Sequence, residues 1–229
     1  MRTAPLAAAL IAIGLITPSL SAADTDGGSF TDLRLVGSLL DKNYDYHASG
    51  NTPGPLSADI SDDGDDKWDE AWRAGIVAQN LNLVGDGPIG FSSGIGIFYD
   101  RFEQEDDDGN SQSLFEALSA QLRLGVGFSV GDVLHIEVLP FGGLGGARGE
   151  IGDVDSGDVD LYWEYGIEAG AYVTLARSFQ VGVHGGWMKS GFDMEFDDES
   201  EFQGVPVENV KLKIRNEGPY IGASIGGRF

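Results

Sequence analysis

A strict alternation of side-chain character is the feature that most limits what this chain can fold into. Along "LSAQLRLGVGF", residues 118–128, one face carries only Leu, Ala, Val and Phe, while the other carries Ser, Gln, Arg and Gly. A period of two residues is that of a β-strand. The second face lacks the dense Lys and Glu of a water-exposed sheet, so it is typical of a cramped interior rather than of a solvated surface.

The same sorting recurs along the chain and predicts eight strands. They cover residues 29–40, 68–84, 89–102, 118–128, 133–146, 163–175, 179–192 and 211–229. Short links at 85–88, 130–132 and 176–178 alternate with long polar connections at 41–67, 103–112, 149–160 and 193–210. This layout favours an all-β fold, an eight-stranded antiparallel up-and-down transmembrane β-barrel with tight turns at one rim and long loops at the other.

Large aromatic residues on the apolar face occur toward the strand ends. They are Trp68, Trp72, Phe91, Tyr99, Phe128, Trp163, Tyr165, Phe179, Trp187 and Phe229. Aromatic side chains at both ends of lipid-facing strands match the two interfaces of a bilayer. The pattern therefore favours apolar residues outside and polar residues inside, and a soluble lipocalin-like barrel is the alternative.

The N-terminal segment predicts export. Residues 1–23 combine one Arg, an apolar run and small residues before Ala23, which is the anatomy of a cleaved signal peptide. The apolar run is shorter than the roughly 20 residues that a spanning helix needs. Residues 24–229 are then expected to form the barrel, with four acidic loops outside the cell. The chain has no cysteine, which excludes disulfides and thiolate metal sites.

The last strand carries a recognisable signature. It alternates Ile221, Ala223 and Ile225 and ends on Phe229. This resembles the insertion signal of bacterial outer-membrane β-barrel proteins, and the layout is similar to the small eight-stranded OmpA-like and OmpX-like barrels. The resemblance implies residence in the outer membrane, insertion by the outer-membrane assembly machinery, and closure of the barrel through these four residues. Gly227 stands where the family often has an aromatic residue.

Strand parity predicts a charged interior. The inward set includes Arg34, Arg73, Arg123, Glu137, Glu164, Glu168 and Arg228. Buried charges are costly unless they are paired, so we expect these residues to neutralise one another in a polar, plugged lumen. A narrow solute pore with a charge filter is the alternative.

Enzymatic activity is not expected. Glu164 and Glu168 lie four residues apart on a strand, roughly 13 Å, which is too far for the paired carboxylates of a glycosidase. His184 and Ser190 offer a base and a nucleophile on one stretch, and a lipid-modifying hydrolase is therefore a second alternative.

The chain is strongly acidic, with 37 Asp and Glu against 14 Lys and Arg and a formal net charge of −23. The acidic runs fall in or beside the long connections, so nucleic acid is disfavoured as a partner. Asp59, Ser61, Asp63 and Glu70 fit a calcium-loop spacing, although Asp66 replaces the usual apolar residue. We expect Ca²⁺ and other divalent cations to bind loosely at these residues, and we expect no other cofactor. Lipid is the expected environment, the chain is expected to be monomeric, and a structural or surface-interaction role is favoured.

Overall fold

The structure is a computed structural model that describes residues 29–51, 59–84, 87–105, 111–151, 154–155, 159–175, 178–196, 200–202 and 205–229. The predicted signal peptide lies outside these residues. Within the described part, the strands are β1 Ser29–Leu39, β2 Asn43–Asn51, β3 Asp59–Lys67, β4 Glu70–Leu83, β5 Ile89–Glu105, β6 Ser111–Val130, β7 Leu134–Ile151, β8 Val154–Asp155, β9 Asp160–Leu175, β10 Phe179–Phe196, β11 Ser200–Phe202 and β12 Val205–Arg228. No helix among the described residues is long and apolar enough to cross a membrane.

Eight of these strands close into a ring. Their order is β1-β4-β5-β6-β7-β9-β10-β12, and β12 pairs back with β1. All of these pairings are antiparallel, which confirms the predicted fold class. The closing ladder runs from Asp32 opposite Arg228 to Leu39 opposite Ile221. Because the amide of Phe229 donates to the carbonyl of Thr31 at 2.9 Å, backbone bonding extends to the terminal aromatic residue.

Short connections lie at one end of the ring, which we call the turn end. The β6–β7 turn uses Gly131 at a φ of 56°, a left-handed conformation that glycine adopts without strain. Ser29 and Phe229 also lie at the turn end. The opposite end, where β5–β6 and β7–β9 connect, is called the outer end.

The wall continues at the outer end through a hairpin inside the predicted long connection 41–67. β12 pairs with β1 as far as Ile221 and then with β2 from Asn216 onward. Both ladders share one register, so β1 and β2 are two parts of a single interrupted strand. β3 pairs with β2 and leads through Trp68 and Asp69 into β4.

The other three predicted loops also contain strand. β5 and β6 extend into 103–112, β7 and β8 into 149–160, and β10, β11 and β12 into 193–210. The acidic composition of these segments predicted loops, but cross-strand pairing imposes extended structure on them.

The faces of the wall reverse their character between the two ends. Toward the turn end, apolar side chains point outward and are exposed, including Leu35, Ile76, Leu122, Val126, Ile136, Ile167, Val183, Ile221 and Ile225. The inward positions of the same strands carry buried polar residues such as Gln79, Gln121 and Gln180. This half of the structure agrees with the predicted apolar-out, polar-in barrel.

Toward the outer end the sorting is inverted without a change of register. On β10, Lys189, Asp193 and Glu195 face outward, whereas Phe192 and Met194 are fully buried inside. On β12, Lys211 and Lys213 face outward and Ile214 is buried. Trp68 was expected on the lipid-facing surface, and that expectation was wrong. It is 2% exposed and lies inside, because it leaves the strand register between β3 and β4.

Candidate functional site

The layer of the lumen nearest the turn end is built around a pair between Arg228 and Asp32, which lie opposite each other on the neighbouring strands β12 and β1. Arg228 Nε donates to Asp32 Oδ1 at 3.0 Å, and the side-chain amide of Gln180 donates to Asp32 Oδ2 at 3.0 Å. The Arg228 guanidinium also lies over the ring of Phe30, 3.6 Å from its centroid. These contacts place a charged pair and an aromatic ring at the turn end of the lumen, and Arg228 Nη1 also lies 3.5 Å from the carbonyl of Asp132 in the β6–β7 turn.

The next layer is centred on Glu137. Arg34 Nη1 lies 2.8 Å from Glu137 Oε1, and both side chains are buried. The hydroxyl of Ser92 donates to Glu137 Oε2 at 3.2 Å, and the guanidinium of Arg34 stacks on Tyr172 at 3.9 Å. A buried carboxylate is tolerable here because it is both paired and hydrogen-bonded.

Two further layers lie closer to the outer end. Arg123 contacts Glu168, whose second oxygen accepts a 2.9 Å bond from the hydroxyl of Tyr220. Arg73 binds Asp100 through two parallel bonds of 2.6 and 2.7 Å and also contacts Glu164. Bidentate arginine–carboxylate pairs of this kind are both strong and geometrically specific.

The structure thus brings every lumen residue selected from the sequence into an ion pair. Arg34, Arg73, Arg123 and Arg228 each contact a carboxylate, and Glu137, Glu164 and Glu168 each contact an arginine. Sequence reasoning missed Asp32 and Asp100. The alternation of the strands indicates that both residues point inward, because Asp32 shares a face with Arg34 and Asp100 shares a face with the buried Phe98.

Around the two upper layers and beyond them toward the outer end, the interior becomes apolar, and we call this region the outer apolar core. It comprises Leu40, Tyr44, Trp68, Ala71, Phe102, Phe115, Ala117, Phe141, Ala147, Tyr162, Met188, Phe192, Met194, Ile214 and Tyr220. Trp68 stacks on Tyr44 with ring centroids 4.0 Å apart, and its indole N–H donates to Asn216 Oδ1 at 2.9 Å. Tyr162 joins the two regions, because its hydroxyl donates to Asp100 while its ring packs against Phe192.

Comparison with solved structures identifies the architecture. OprG, an outer-membrane protein of Pseudomonas aeruginosa, is similar with a TM-score of 0.50 and 13% identity, over 89% of this chain and 96% of that one. The fold is that of the bacterial outer-membrane β-barrels. No protein-family model matches the sequence, and no curated protein matches it.

Two more outer-membrane barrels show weaker similarity. Neisserial surface protein A gives a TM-score of 0.41 and 14% identity, over 88% of this chain and 99% of that one. Ail, the attachment invasion locus protein of Yersinia pestis, gives 0.39 and 11%, over 90% and 100%.

The outward face of the barrel has the banding expected for a bilayer. Exposed Phe91, Phe128, Phe179 and Phe229 lie toward the turn end, while Trp163, Tyr165 and Trp187 lie at the other margin of the apolar belt. Trp72 and Tyr99 pack together at this second margin, with centroids 5.6 Å apart. Amphipathic aromatic rings favour the headgroup level, so the two groups mark the edges of the membrane-spanning segments.

Outside the belt the barrel carries paired surface charges. Arg148 Nε donates to Glu116 at 2.8 Å, Arg215 to Asp193 at 2.5 Å, and Lys189 to Glu217 at 2.6 Å. The hydrogen bond from Lys189 lowers the pKa of Glu217 below its ordinary value of 4.5, and the same bond raises the pKa of Lys189 above 10.5. These pairs lie immediately beyond the aromatic margin, where the outer surface becomes hydrophilic.

The residues of the calcium-like spacing are not wrapped into a loop. Asp59, Ser61 and Asp63 lie in β3, and Glu70 begins β4. Asp63 Oδ1 lies 2.5 Å from His47 Nδ1 on the neighbouring strand, beside a shallow depression of about 400 Å³ that Asp45, Asp65 and Lys213 help to line. The described residues contain no group of three or more His, Asp or Glu arranged to hold a metal ion.

His184 and Ser190, the candidate hydrolase pair, are not brought together. His184 Nε2 shares a 2.8 Å hydrogen bond with Ser38 Oγ inside the barrel, and both residues are buried. A Cβ at Gly222 would come within 2.5 Å of both of these atoms, so backbone fills the space beside them. This close packing is what a structural histidine requires, and it leaves no room for a substrate on that side.

Proposed function

We propose that this protein is a closed, non-conducting barrel of the outer membrane that anchors a rigid acidic structure at the cell surface. Its role is structural or interactive rather than catalytic. The proposal includes cleavage of residues 1–23 on export, insertion by the outer-membrane assembly machinery, and a monomeric barrel. The turn end faces the periplasm and the outer end faces the exterior, since outer-membrane barrels have their short turns on the periplasmic side.

The observation that carries this proposal is the double closure of the lumen. Three arginines, Arg34, Arg73 and Arg123, each pair with a carboxylate on a non-neighbouring strand and so cross the interior of the membrane-spanning part. Farther toward the outer end, aromatic rings of the outer apolar core fill the interior of the barrel. A solute pore needs a continuous hydrated path, and an ion that crosses a layer of packed, buried aromatic rings must lose its hydration shell at a large cost in free energy.

Conductance in a planar bilayer tests the proposal. The purified protein, inserted in known copy number, is expected to give no stable unitary current in 1 M KCl. A matched variant in which Arg73, Trp68 and Phe192 are all replaced by Ala removes both closures and is expected to raise the current above the baseline. Stable unitary steps from the unaltered protein would contradict the closed barrel.

We extend the proposal to loose binding of divalent cations by the acidic surface. Asp62, Asp63, Asp65 and Asp66 stand on one nine-residue strand, and the basic side chains on or near that strand are His47, Lys67, Lys213 and Arg215. Dense carboxylates concentrate counter-ions whatever their geometry, and weak calcium sites of extracellular modules bind in the range of about 0.1–1 mM. Calcium titration by calorimetry tests this extension, and heat below detection at millimolar calcium would contradict it.

A further inference from the structure

Four polar side chains face outward on the lipid-facing surface near the turn end. Thr31 on β1 lies opposite Asn80 on β4, and Asn80 lies opposite Ser93 on β5, so these three residues form one row across the ladder. Asn82 stands two positions from Asn80 on the same face of β4. All four alternate with buried inward residues, which are Asp32, Gln79, Leu81 and Ser92. We call these four outward residues the turn-end polar patch.

The turn-end polar patch interrupts a surface that is mainly apolar. On β6, β7, β9 and β10, the outward residues near the turn end are apolar and exposed, and they include Val126, Phe128, Ile136, Val173 and Val181. Val84 and Ile89, which lie beyond the patch at the β4–β5 connection, are exposed as well. The patch therefore has apolar residues on both sides of it along the strands and belongs to the surface that lipid covers.

The patch satisfies part of its hydrogen bonding internally. The side-chain amide of Asn82 donates to Asn80 Oδ1 at 2.6 Å, and that of Asn80 donates to Thr31 Oγ1 at 3.1 Å. Each amide has a second N–H, and Thr31 and Ser93 each have a hydroxyl hydrogen. The described residues offer these donors no further acceptor. Because hydrocarbon cannot accept hydrogen bonds and unsatisfied polar groups in lipid are costly, the patch needs a partner with acceptor oxygens.

The patch lies at the level of lipid headgroups. Phe91 is the ladder partner of Asn82, and the backbone of Phe229 bonds to that of Thr31 in both directions, at 2.9 and 3.2 Å. Both aromatic rings are exposed and belong to the aromatic margin of the turn end. The phosphate and glycerol ester oxygens of a phospholipid lie at this margin, and all of them are hydrogen-bond acceptors.

The lipid-facing belt is shorter at the patch than across the ring. On β4 the outward apolar run extends only from Ala78 to Trp72, whereas on β9, on the opposite side of the ring, it extends from Leu175 to Leu161. A bilayer adapts to a short apolar span by thinning locally. Thinning beside β4 brings the headgroups of the leaflet at the turn end toward Asn80.

The patch is also recessed between bulky rings. Phe91 is 51% exposed and Phe229 is 73% exposed, whereas Thr31 and Asn80 are half-buried between them. The wall of a second barrel would meet the two rings before it reached these short side chains, but a single headgroup fits between the rings.

We infer that the turn-end polar patch binds the headgroup of one phospholipid, through the phosphate and ester oxygens. The acyl chains then lie along β4 over Ala78 and Ile76. The inference goes beyond the proposed function, because it does not depend on whether the lumen conducts.

Dipolar contacts between lipid phosphorus and protein nitrogen test the site by solid-state NMR. The protein, with isotope-labelled asparagine side chains, is placed in liposomes of phosphatidylethanolamine and phosphatidylglycerol, which are frozen to stop lipid rotation. Asn80→Ser and Asn82→Ser assign the two signals. We expect phosphorus to dephase the amides of Asn80 and Asn82 and to leave that of Asn216 unaffected, since Asn216 is buried inside the barrel. No dephasing at either Asn80 or Asn82 would overturn the site.

Two threonine variants provide a matched comparison. Thr31→Val keeps the shape of the side chain but loses the hydroxyl that accepts from Asn80, so it is expected to reduce the dephasing of the Asn80 amide. Thr174→Val makes the same change at a buried, inward position near the turn end and is expected to leave the dephasing unchanged. Undiminished dephasing in Thr31→Val, or an equal reduction in both variants, would overturn the role of the patch.

Two further measurements identify the occupant. In a mixture of nitrogen-labelled and carbon-labelled copies, a contact from Asn82 to carbon in place of the phosphorus contact would show a second barrel and overturn the lipid site. Inorganic phosphate added to the protein in maltoside micelles is expected to leave the Asn80 and Asn82 signals unshifted, because neutral donors hold a free phosphate weakly. Shifts with inorganic phosphate alone would overturn the lipid as the specific occupant. A conducting protein that shows the phosphorus contact would refute the proposed function and leave the site intact.

Discussion

Trp187 and Phe192 lie five residues apart on β10 and face opposite sides of the same wall. Trp187 is 49% exposed on the lipid-facing surface, whereas Phe192 is fully buried inside. Lys189 lies between them and points outward, beyond the aromatic margin. A strand that stays in register therefore passes from lipid into water, and its apolar face moves from the outside to the inside.

This relationship divides the barrel into two parts with different physics. In the membrane-spanning part, lipid solvates the outer face and the interior must satisfy its charges internally. Beyond the membrane, water solvates the outer face and the interior can bury apolar area as a soluble protein does. The outer apolar core therefore gives the surface structure a stability of its own, in addition to the stability of the membrane anchor.

Replacement of Arg73 by Leu is expected to destabilise the barrel strongly. Asp100 and Glu164 would remain buried without their counter-charge, and breaking a buried pair in this way costs about 3–5 kcal/mol. Arg148→Leu breaks the Glu116 pair at the exposed surface and is expected to cost no more than about 1 kcal/mol. Denaturant unfolding in detergent, followed by heat-dependent gel mobility, measures both. Equal losses would contradict the buried network.

Phe192→Ala is expected to weaken the outer end selectively. Truncating a buried Phe costs about 3–5 kcal/mol through lost burial and a residual cavity. Hydrogen exchange should rise in the outer parts of β9, β10 and β12 and stay unchanged near the turn end. Trp187→Ala, a lipid-facing control five residues away, is expected to leave exchange at the outer end unchanged.

The Lys189–Glu217 pair is expected to give the surface structure a defined pH response. The folded-state pKa of Glu217 is depressed, so its contribution is present above the ordinary value of 4.5 and is lost as pH falls through the folded-state pKa. The pKa of Lys189 is raised, so its contribution is present below 10.5 and is lost as pH rises through the folded-state value.

Side-chain NMR of the two groups checks this window. Lys189→Gln should return the titration of Glu217 toward 4.5, and Glu217→Gln should return that of Lys189 toward 10.5. The prediction fails if Glu217 titrates at the same pH with and without Lys189.

Calcium binding is expected to depend on β3. Replacing Asp62, Asp63, Asp65 and Asp66 by Asn should abolish most of the calorimetric heat at millimolar calcium, because the local carboxylate density is lost. The control replaces Asp193 by Asn and Glu195 by Gln, two carboxylates that already pair with Arg215 and Lys211. We expect this variant to keep most of the heat of calcium binding. Equal loss in both variants would show that binding is not centred on β3.

The sequence predicts the membrane-spanning half well, because one rule applies to all of it. Lipid outside and a cramped interior impose the same alternation on every strand, so parity alone selects Arg34, Arg123 and Glu168 as inward residues. The ring order follows from the short turns, and the closing ladder follows from the alternating last strand.

The strands of the outer half were not predicted, because the composition of these segments favours loops whereas their alternation favours strands. Residues 193–210 are rich in Asp and Glu, which favours a loop, yet Phe192, Met194 and Ile214 continue the inward parity. The sequence signal of these strand extensions is a change of the apolar residues from the outward to the inward positions while the alternation continues in the same register. Trp68 could not be predicted, because its orientation depends on the one-residue irregularity between β3 and β4.

Cysteine accessibility along β10 tests the central claim most directly. Single replacements of Val183, Phe192 and Asp193 by Cys are treated with a membrane-impermeant maleimide on intact cells. We expect labelling of Asp193→Cys alone, because Val183 faces lipid and Phe192 faces the outer apolar core. Labelling of Val183→Cys with protection of Asp193→Cys would contradict a barrel that reverses its faces at the membrane surface.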